Sequence, residues 1–479
     1  MATLTCKNYF NGRWETGVTT GISTNPSDLD DVVAEYARAD KNQTDNAIRA
    51  AADASSTWAQ STPQRRFDAL DQIGSELIAR KDELGELLAR EEGKTLAEAV
   101  GETVRAGNIF KFFAGEALRQ GGERLASVRA GVDVEITREP VGVVGIIAPW
   151  NFPLAIPAWK IAPALAFGNS VVFKPAELVP ACGWALAEII SRATLPAGVF
   201  NLVMGSGRQV GQALVDSPLV NAISFTGSVG TGRQILKATA ERGAKVQLEM
   251  GGKNPLVVLA DADLELAVEC TLNGAFYSTG QRCTASSRII VDAGIHDRFV
   301  ARLRERTAAL KVGHALQRDT QIGPVVDDHQ LQQNLSYLEI ARDEGAEHLV
   351  GGDTLQRQTR GHFMSPALFL AQSHHRVARE EIFGPVACVI RADGYEHALS
   401  LANDTPFGLC AGICTTSLKY ATHFKRNAQV GMTMVNLPTA GVDHHVPFGG
   451  RKESSHGSRE QGRYAAEFYT TVKTAYTLA

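Results

Sequence analysis

From Gln43 to about Gln120, Ala, Leu and Ile recur at three- and four-residue steps, with Lys, Arg and Glu between them. That periodicity predicts a layer of amphipathic helices. From Val141 the pattern changes. Val141–Ile147 is a continuous apolar run, and Ser170–Phe173, Val199–Val203 and Ala222–Phe225 repeat it. Helical stretches separate these runs, at 155–166, 181–192 and 207–217. Apolar strands alternating with helices predict a sheet covered on both faces, and so an α/β fold. After Gly252 a second unit begins with a strand at Pro255–Leu259 and a helix at Leu264–Phe276. Strands near 288–292 and 386–391 and helices near 296–311, 327–344 and 395–403 continue it. Residues 8–40 predict short strands and turns, with Asn11-Gly12 in a hairpin. Two further segments stand apart. Residues 122–139 alternate, most clearly over Val132–Thr137, and 468–476 are β-rich. They predict a polar hairpin and an edge strand with no partner in the main core, open to pairing with another chain.

A chain of 479 residues is too long for one hydrophobic core and implies two or three domains. The net charge of −4 gives no basic surface for nucleic acid. The longest apolar runs fall short of a membrane span, and Met1–Lys7 has no signal-peptide core. Seven scattered cysteines do not suggest a disulfide framework. A cytoplasmic setting is expected. The paired histidines at 374–375 and 444–445 point apart and lack ligand spacing, so no metal site is expected.

Open α/β sheets bind ligands beyond the carboxyl ends of their strands. The groups there are Pro149–Pro153, Lys174–Glu177, Gly205–Gly207 and Thr226–Ser228. Gly227, Ser228, Gly230 and Gly232 follow a strand and open a helix, a place where backbone amides grip phosphate. Their order departs from the usual dinucleotide fingerprint, and a tight structural turn explains them equally well. Lys174 and Glu177 can hold ribose hydroxyls or form a solvated ion pair. Asn151, in a stiff Pro-Trp-Asn-Phe-Pro turn, can donate to an oxyanion or bond its own backbone. Glu249 precedes Gly251-Gly252 and can serve as a base or lie on the surface. Cys283 sits on a loop between a helix and a strand. Its polar flanks and the neighbouring Arg282 favour a thiolate, although a lone cysteine is more often a small buried hydrophobe. Together Cys283, Asn151 and Glu249 supply the nucleophile, donor and base of an acyl-type mechanism.

Seven stretches occur in order: Pro149–Pro153, Lys174–Glu177, Phe225–Ser228, Leu248–Lys253, Gly280–Cys283, Glu381–Pro385 and Pro447–Gly450. Together they resemble the NAD(P)-dependent aldehyde dehydrogenase superfamily over nearly the whole chain. The resemblance implies a Rossmann-type cofactor domain at 1–121 and 140–251 and an α/β catalytic domain at 252–451. It implies a β oligomerisation arm at 122–139 with 452–479, in a homodimer or homotetramer. It assigns Cys283 as nucleophile, Asn151 with the Cys283 N–H as oxyanion hole, and Glu249 as the base that hydrolyses the thioester. Trp150, Lys174, Glu177, Gly227, Ser228, Glu381 and Phe383 are expected to hold the cofactor. Glu177 favours NAD over NADP, and Lys174 leaves NADP possible. Arg282, Thr284, His444 and His445 are expected to face the aldehyde, with Arg282 clamping a remote carboxylate. The wording around Cys283 is similar to branches oxidising α-ketoglutaric semialdehyde (2,5-dioxopentanoate), with succinic semialdehyde, broad-range or aromatic aldehydes as alternatives. A thiol hydrolase or acyltransferase without a nucleotide, or a non-catalytic binding protein on the same fold, are the readings from other classes.

Overall fold

Two large sheets organise the computed structural model, which describes residues 2–478. Five parallel strands form the centre of the first sheet, in the order Lys245–Glu249, Ala222–Thr226, Val143–Ile147, Ser170–Lys174 and Phe200–Leu202. Ser170–Lys174 and Ala222–Thr226 are buried along their whole length. That is why they read as unbroken apolar runs. The hairpin Asn8–Phe10/Arg13–Glu15 closes one edge, with Asn11 and Gly12 both at positive φ in its turn. The second sheet has seven strands, including Asn254–Val258, Ser286–Asp292 and Val386–Ala392, which pair in parallel.

The helical layer is four helices, Lys41–Ala59, Pro63–Ala79, Lys81–Glu92 and Leu96–Leu118. The last begins with a capping box, in which Thr95 and Glu98 satisfy each other's free amides. It packs on Pro63–Ala79 and on the helix Ala155–Ala166, which follows the Asn151 turn.

The structure departs from the sequence reading in several places. Lys245–Glu249 is a strand, so Glu249 ends a sheet strand. Its polar–apolar alternation hid it among apolar neighbours. Cys410–Cys414 and Met432–Val435 are further strands of the second sheet, too short to stand out. The hairpin Glu123–Ala126/Val132–Pro140 and the tail Thr470–Leu478 do not wait for another chain. They pair with each other as a three-stranded sheet. Nor do residues 452–479 act as one piece, because Ser455 and His456 pair with Glu249 and Leu248 at the edge of the first sheet.

Candidate active site

The loop that carries Cys283 is wound against its preference. Ser278, Thr279 and Gly280 all have φ between 51° and 66°, the left-handed region. Two successive non-glycine residues there cost on the order of 1–3 kcal/mol each, so the surroundings must hold them. Glu98 accepts from the Ser278 N–H at 2.8 Å and its hydroxyl at 3.0 Å. Thr279 Oγ1 donates to the Gly323 carbonyl at 3.1 Å. A side chain at Gly280 would collide with the Gly384 carbonyl. The loop is thus tied to the helical layer through Glu98 and packed against the backbone at Gly323 and Gly384.

Cys283 alone of the seven cysteines is not fully buried. Two cavities meet at it. One, of about 360 Å³, has walls from Phe152, Trp159, Phe448, Thr284, Arg282 and Arg105. The other, of about 250 Å³, is a cleft walled by Trp150, Asn151, Gly227, Ser228, Glu381 and Phe383. Ile156 and Cys283 belong to both walls.

Asn151 does not bond its own turn. Its Nδ2 donates to the Gln281 carbonyl at 2.9 Å, two residues before Cys283. One N–H fixes the side chain and the other stays available to an oxyanion. The turn itself is held by a buried ion pair that the sequence did not suggest. Lys94 Nζ donates to Glu102 at 2.7 Å and to the Asn151 carbonyl at 2.6 Å. Glu102 also accepts from the Leu154 and Ala155 amides, at the start of the next helix. Both members of the pair are 1% exposed. A buried pair in this setting is costly to break, because the survivor keeps an unpaired charge.

Glu249 is buried and lines neither cavity. Ser455 Oγ donates to its Oε2 at 2.6 Å. Beyond it, Lys160 pairs with Glu460 and donates to Ser224 Oγ at 2.9 Å. Burial, and then the charge of Glu460, push the Glu249 carboxyl well above its usual range, against the Ser455 hydrogen bond. The Cys283 thiol is pushed up to about 12 by burial, by Glu249 and by Glu381. This reverses the thiolate expected from the flanking residues. Arg282 does not supply the needed charge, because its Nη2 lies 3.5 Å from Glu98.

On the cleft side, Ser228 caps the helix Val229–Arg242, with its side chain accepting from the Thr231 N–H. The amides of that first turn face outward at the end of strand Ala222–Thr226. Trp150 meets Phe383 edge-on, with ring centres 5.4 Å apart. Phe383 itself has φ 62°. Glu381 accepts from the Gly252 N–H at 2.8 Å, and burial lifts it to about 7. Lys174 and Glu177 lie at the neighbouring strand end and do not line this cleft. Glu177 is 3.9 Å from Arg38, and Lys174 Nζ donates to the Pro175 carbonyl.

On the other side, Arg282 and Thr284 line the larger cavity, as expected. His444 and His445 do not. The loop contributes Ala440, Gly441 and Val442 to the wall, and His444 turns away to lie against Phe112. Burial, His445 and Arg105 hold His444 below the usual imidazole range, so it offers no cation. One wall was missed. Glu98, Gly101, Glu102 and Arg105 recur at three- and four-residue steps on the helix Leu96–Leu118 and form a single stripe along the cavity.

A sequence profile described as the aldehyde dehydrogenase family matches residues 14–475. The chain is 43% identical to an alpha-ketoglutaric semialdehyde dehydrogenase of Bacillus subtilis, over 98% of this chain and 97% of the relative. It is 38% identical to a 2,5-dioxopentanoate dehydrogenase of Saccharolobus solfataricus, over 95% of both. The crystal structure of betaine aldehyde dehydrogenase from Staphylococcus aureus in complex with NAD+ superposes with a TM-score of 0.97. It is 34% identical, and the match covers 99% of this chain and 95% of that one. The chain belongs to the aldehyde dehydrogenase family.

Proposed function

We propose that the chain oxidises an acid-tailed aldehyde, 2,5-dioxopentanoate first, to the carboxylic acid with NAD as oxidant. The observation that carries the reading is the place of Cys283, where a cleft of strand ends meets an aromatic cavity with cations on its wall.

The residues of the cleft fit a dinucleotide. Thr226 Oγ1 is buried in its wall with no hydrogen-bond partner among the described residues. Beside it, the helix N-terminus at Ser228 presents amides suited to phosphate. Trp150, Gly227, Glu381 and Phe383 would hold the rest, with Lys174 and Glu177 on the ribose. A carboxylate there disfavours a 2′-phosphate. Arg38 and Lys174 offset part of that preference, so NADP use at lower efficiency is included. When bound, the nicotinamide supplies the acceptor for the hydride that leaves the aldehyde carbon.

The chain's own residues supply the remaining chemistry. Cys283 Sγ gives its proton to water in the cavity and attacks the aldehyde carbon. The free N–H of Asn151 Nδ2 and the Cys283 amide stabilise the oxyanion. The acyl group then rests on Cys283 as a thioester. Glu249, steadied by Ser455, takes a proton from water, and the hydroxide releases the acid. Lys94 and Glu102 keep the Asn151 turn in register throughout.

The test is kcat/KM from NADH formation with 2,5-dioxopentanoate, succinic semialdehyde, pentanal and benzaldehyde. The dioxo acid should exceed pentanal by about ten- to a hundredfold, the worth of one buried charged hydrogen bond. If pentanal or benzaldehyde matches it, a broad-range aldehyde dehydrogenase replaces this reading. Absence of NADH with every aldehyde favours the hydrolase or acyltransferase instead.

The arm is proposed to join copies of the chain into a dimer or larger homo-oligomer. Its three-stranded sheet exposes Leu125, Val472, Tyr476 and Leu478, each 48–74% accessible. Such a concentration of exposed apolar side chains on one sheet marks a contact surface. Sedimentation at micromolar concentration should give at least twice the chain mass, and a monomeric mass would refute the assembly.

A further inference from the structure

The larger cavity has two cations on its wall, and they differ in how far they are already compensated. Arg282 has Glu98 beside it at 3.5 Å, and Glu98 also lines the cavity. An approaching anion therefore meets a carboxylate together with that guanidinium. Arg105 has no carboxylate within ion-pair distance among the described residues. Glu102, one turn before it, is hydrogen-bonded to Lys94, and the charges of Glu102 and Asp443 act on Arg105 only from beyond contact distance.

The head of Arg105 is oriented without a direct ion pair. Its Nη2 donates to Gln461 Oε1 at 3.2 Å, and its guanidinium lies 5.6 Å from the Trp159 ring centre. Its Nε is buried and has no partner among the described residues, as is true of Arg282 Nε, so the two cations differ in their carboxylate neighbour and not in this donor. Gly101, one turn earlier on the same stripe, leaves open space, because a Cβ there would meet nothing within 4 Å. A planar cation with a free donor, held on an aromatic ring beside empty volume, is built to take a carboxylate through two parallel hydrogen bonds.

We propose that Arg105, and not Arg282, grips the distal carboxylate of the aldehyde. The inference rests on the acid-tailed reading above and names the residue that enforces it. Arg282 then serves the loop, tying it to Glu98 and the helical layer. The stripe Glu98–Arg105 divides the work, with Glu98 and Glu102 holding the nucleophile and oxyanion loops and Arg105 selecting the substrate.

The experiment compares kcat/KM for 2,5-dioxopentanoate and pentanal in wild type, Arg105→Leu, Arg105→Lys and Arg282→Leu. The acid-to-neutral ratio should fall on the order of ten- to a hundredfold in Arg105→Leu, carried by KM of the acid. Arg105→Lys keeps the charge without the fork and should recover part of the ratio. It also serves as the folded comparison if the leucine variant proves unstable. Arg282→Leu should lower the ratio less than Arg105→Leu. A wild-type preference for the acid that survives in Arg105→Leu, or that is lost more fully in Arg282→Leu, overturns the assignment alone. A wild-type ratio near one overturns the acid-tailed reading, and this proposal with it.

Discussion

Cys283→Ala forms no NADH from any aldehyde, a loss on the order of 10⁴-fold or more, as for removal of a covalent nucleophile. The change deletes one sulfur at a position where two cavities meet, so it disturbs little packing. The loop's own restraints, Glu98 on Ser278 and Gly323 on Thr279, do not involve the thiol. The variant should therefore still bind NAD, which shows that the loss is chemical. The other six cysteines are buried, and none can replace Cys283. Substantial dehydrogenase activity in this variant would remove the thioester mechanism altogether.

Glu249→Gln gives a different signature. One equivalent of NADH per active site appears in a burst, and turnover then stalls. In the proposed mechanism the hydride leaves before the step that Glu249 assists, so only thioester hydrolysis suffers. Gln is nearly isosteric and can still accept from Ser455, so the change removes charge without opening a cavity. A variant that turns over at the wild-type rate with no burst would acquit Glu249. The pH profile adds a second reading. A carboxyl whose pKa is raised becomes a base only as pH climbs through that raised value. Wild-type steady-state turnover should therefore increase with pH over a range above that of an ordinary carboxylate, and the residual rate of the Gln variant should lack that dependence. Once ionised, Glu249 is also one of the groups that keep Cys283 protonated, and the Gln variant lacks that charge.

Much of this site was legible because its residues stand at breaks in a strong pattern. Asn151 follows an apolar strand and precedes a helix, and Cys283 separates another helix from another strand. The carboxyl end of a strand in a parallel sheet is a place for ligands, so position alone gave Asn151 a reason, while Cys283, on a loop before a strand, took its reason from its company with Asn151 and Glu249. The stripe Glu98–Arg105 was not legible for the opposite reason. Charges at helical spacing usually mark a solvated face, and here the face is turned to a cavity only because the Asn151 turn packs over it. Lys94 is a similar case, since its partner carbonyl lies 57 residues away in sequence. The charge state of Cys283 was misjudged because an adjacent cation in sequence says nothing about what else neutralises it. Glu98 does so for Arg282, and burial decides the rest.

The neutral thiol has a consequence outside catalysis. Peroxide and other electrophiles react with thiolates, and a sulfur held protonated offers them a poor target. An enzyme whose substrates are themselves electrophiles must keep its sulfur quiet between encounters. Burial does that here, helped by Glu249 and Glu381 once they are ionised. The idle protein should survive oxidative stress that would convert a permanently ionised cysteine to sulfenic and then sulfinic acid. Its sensitivity should appear only when something at the site draws the proton off.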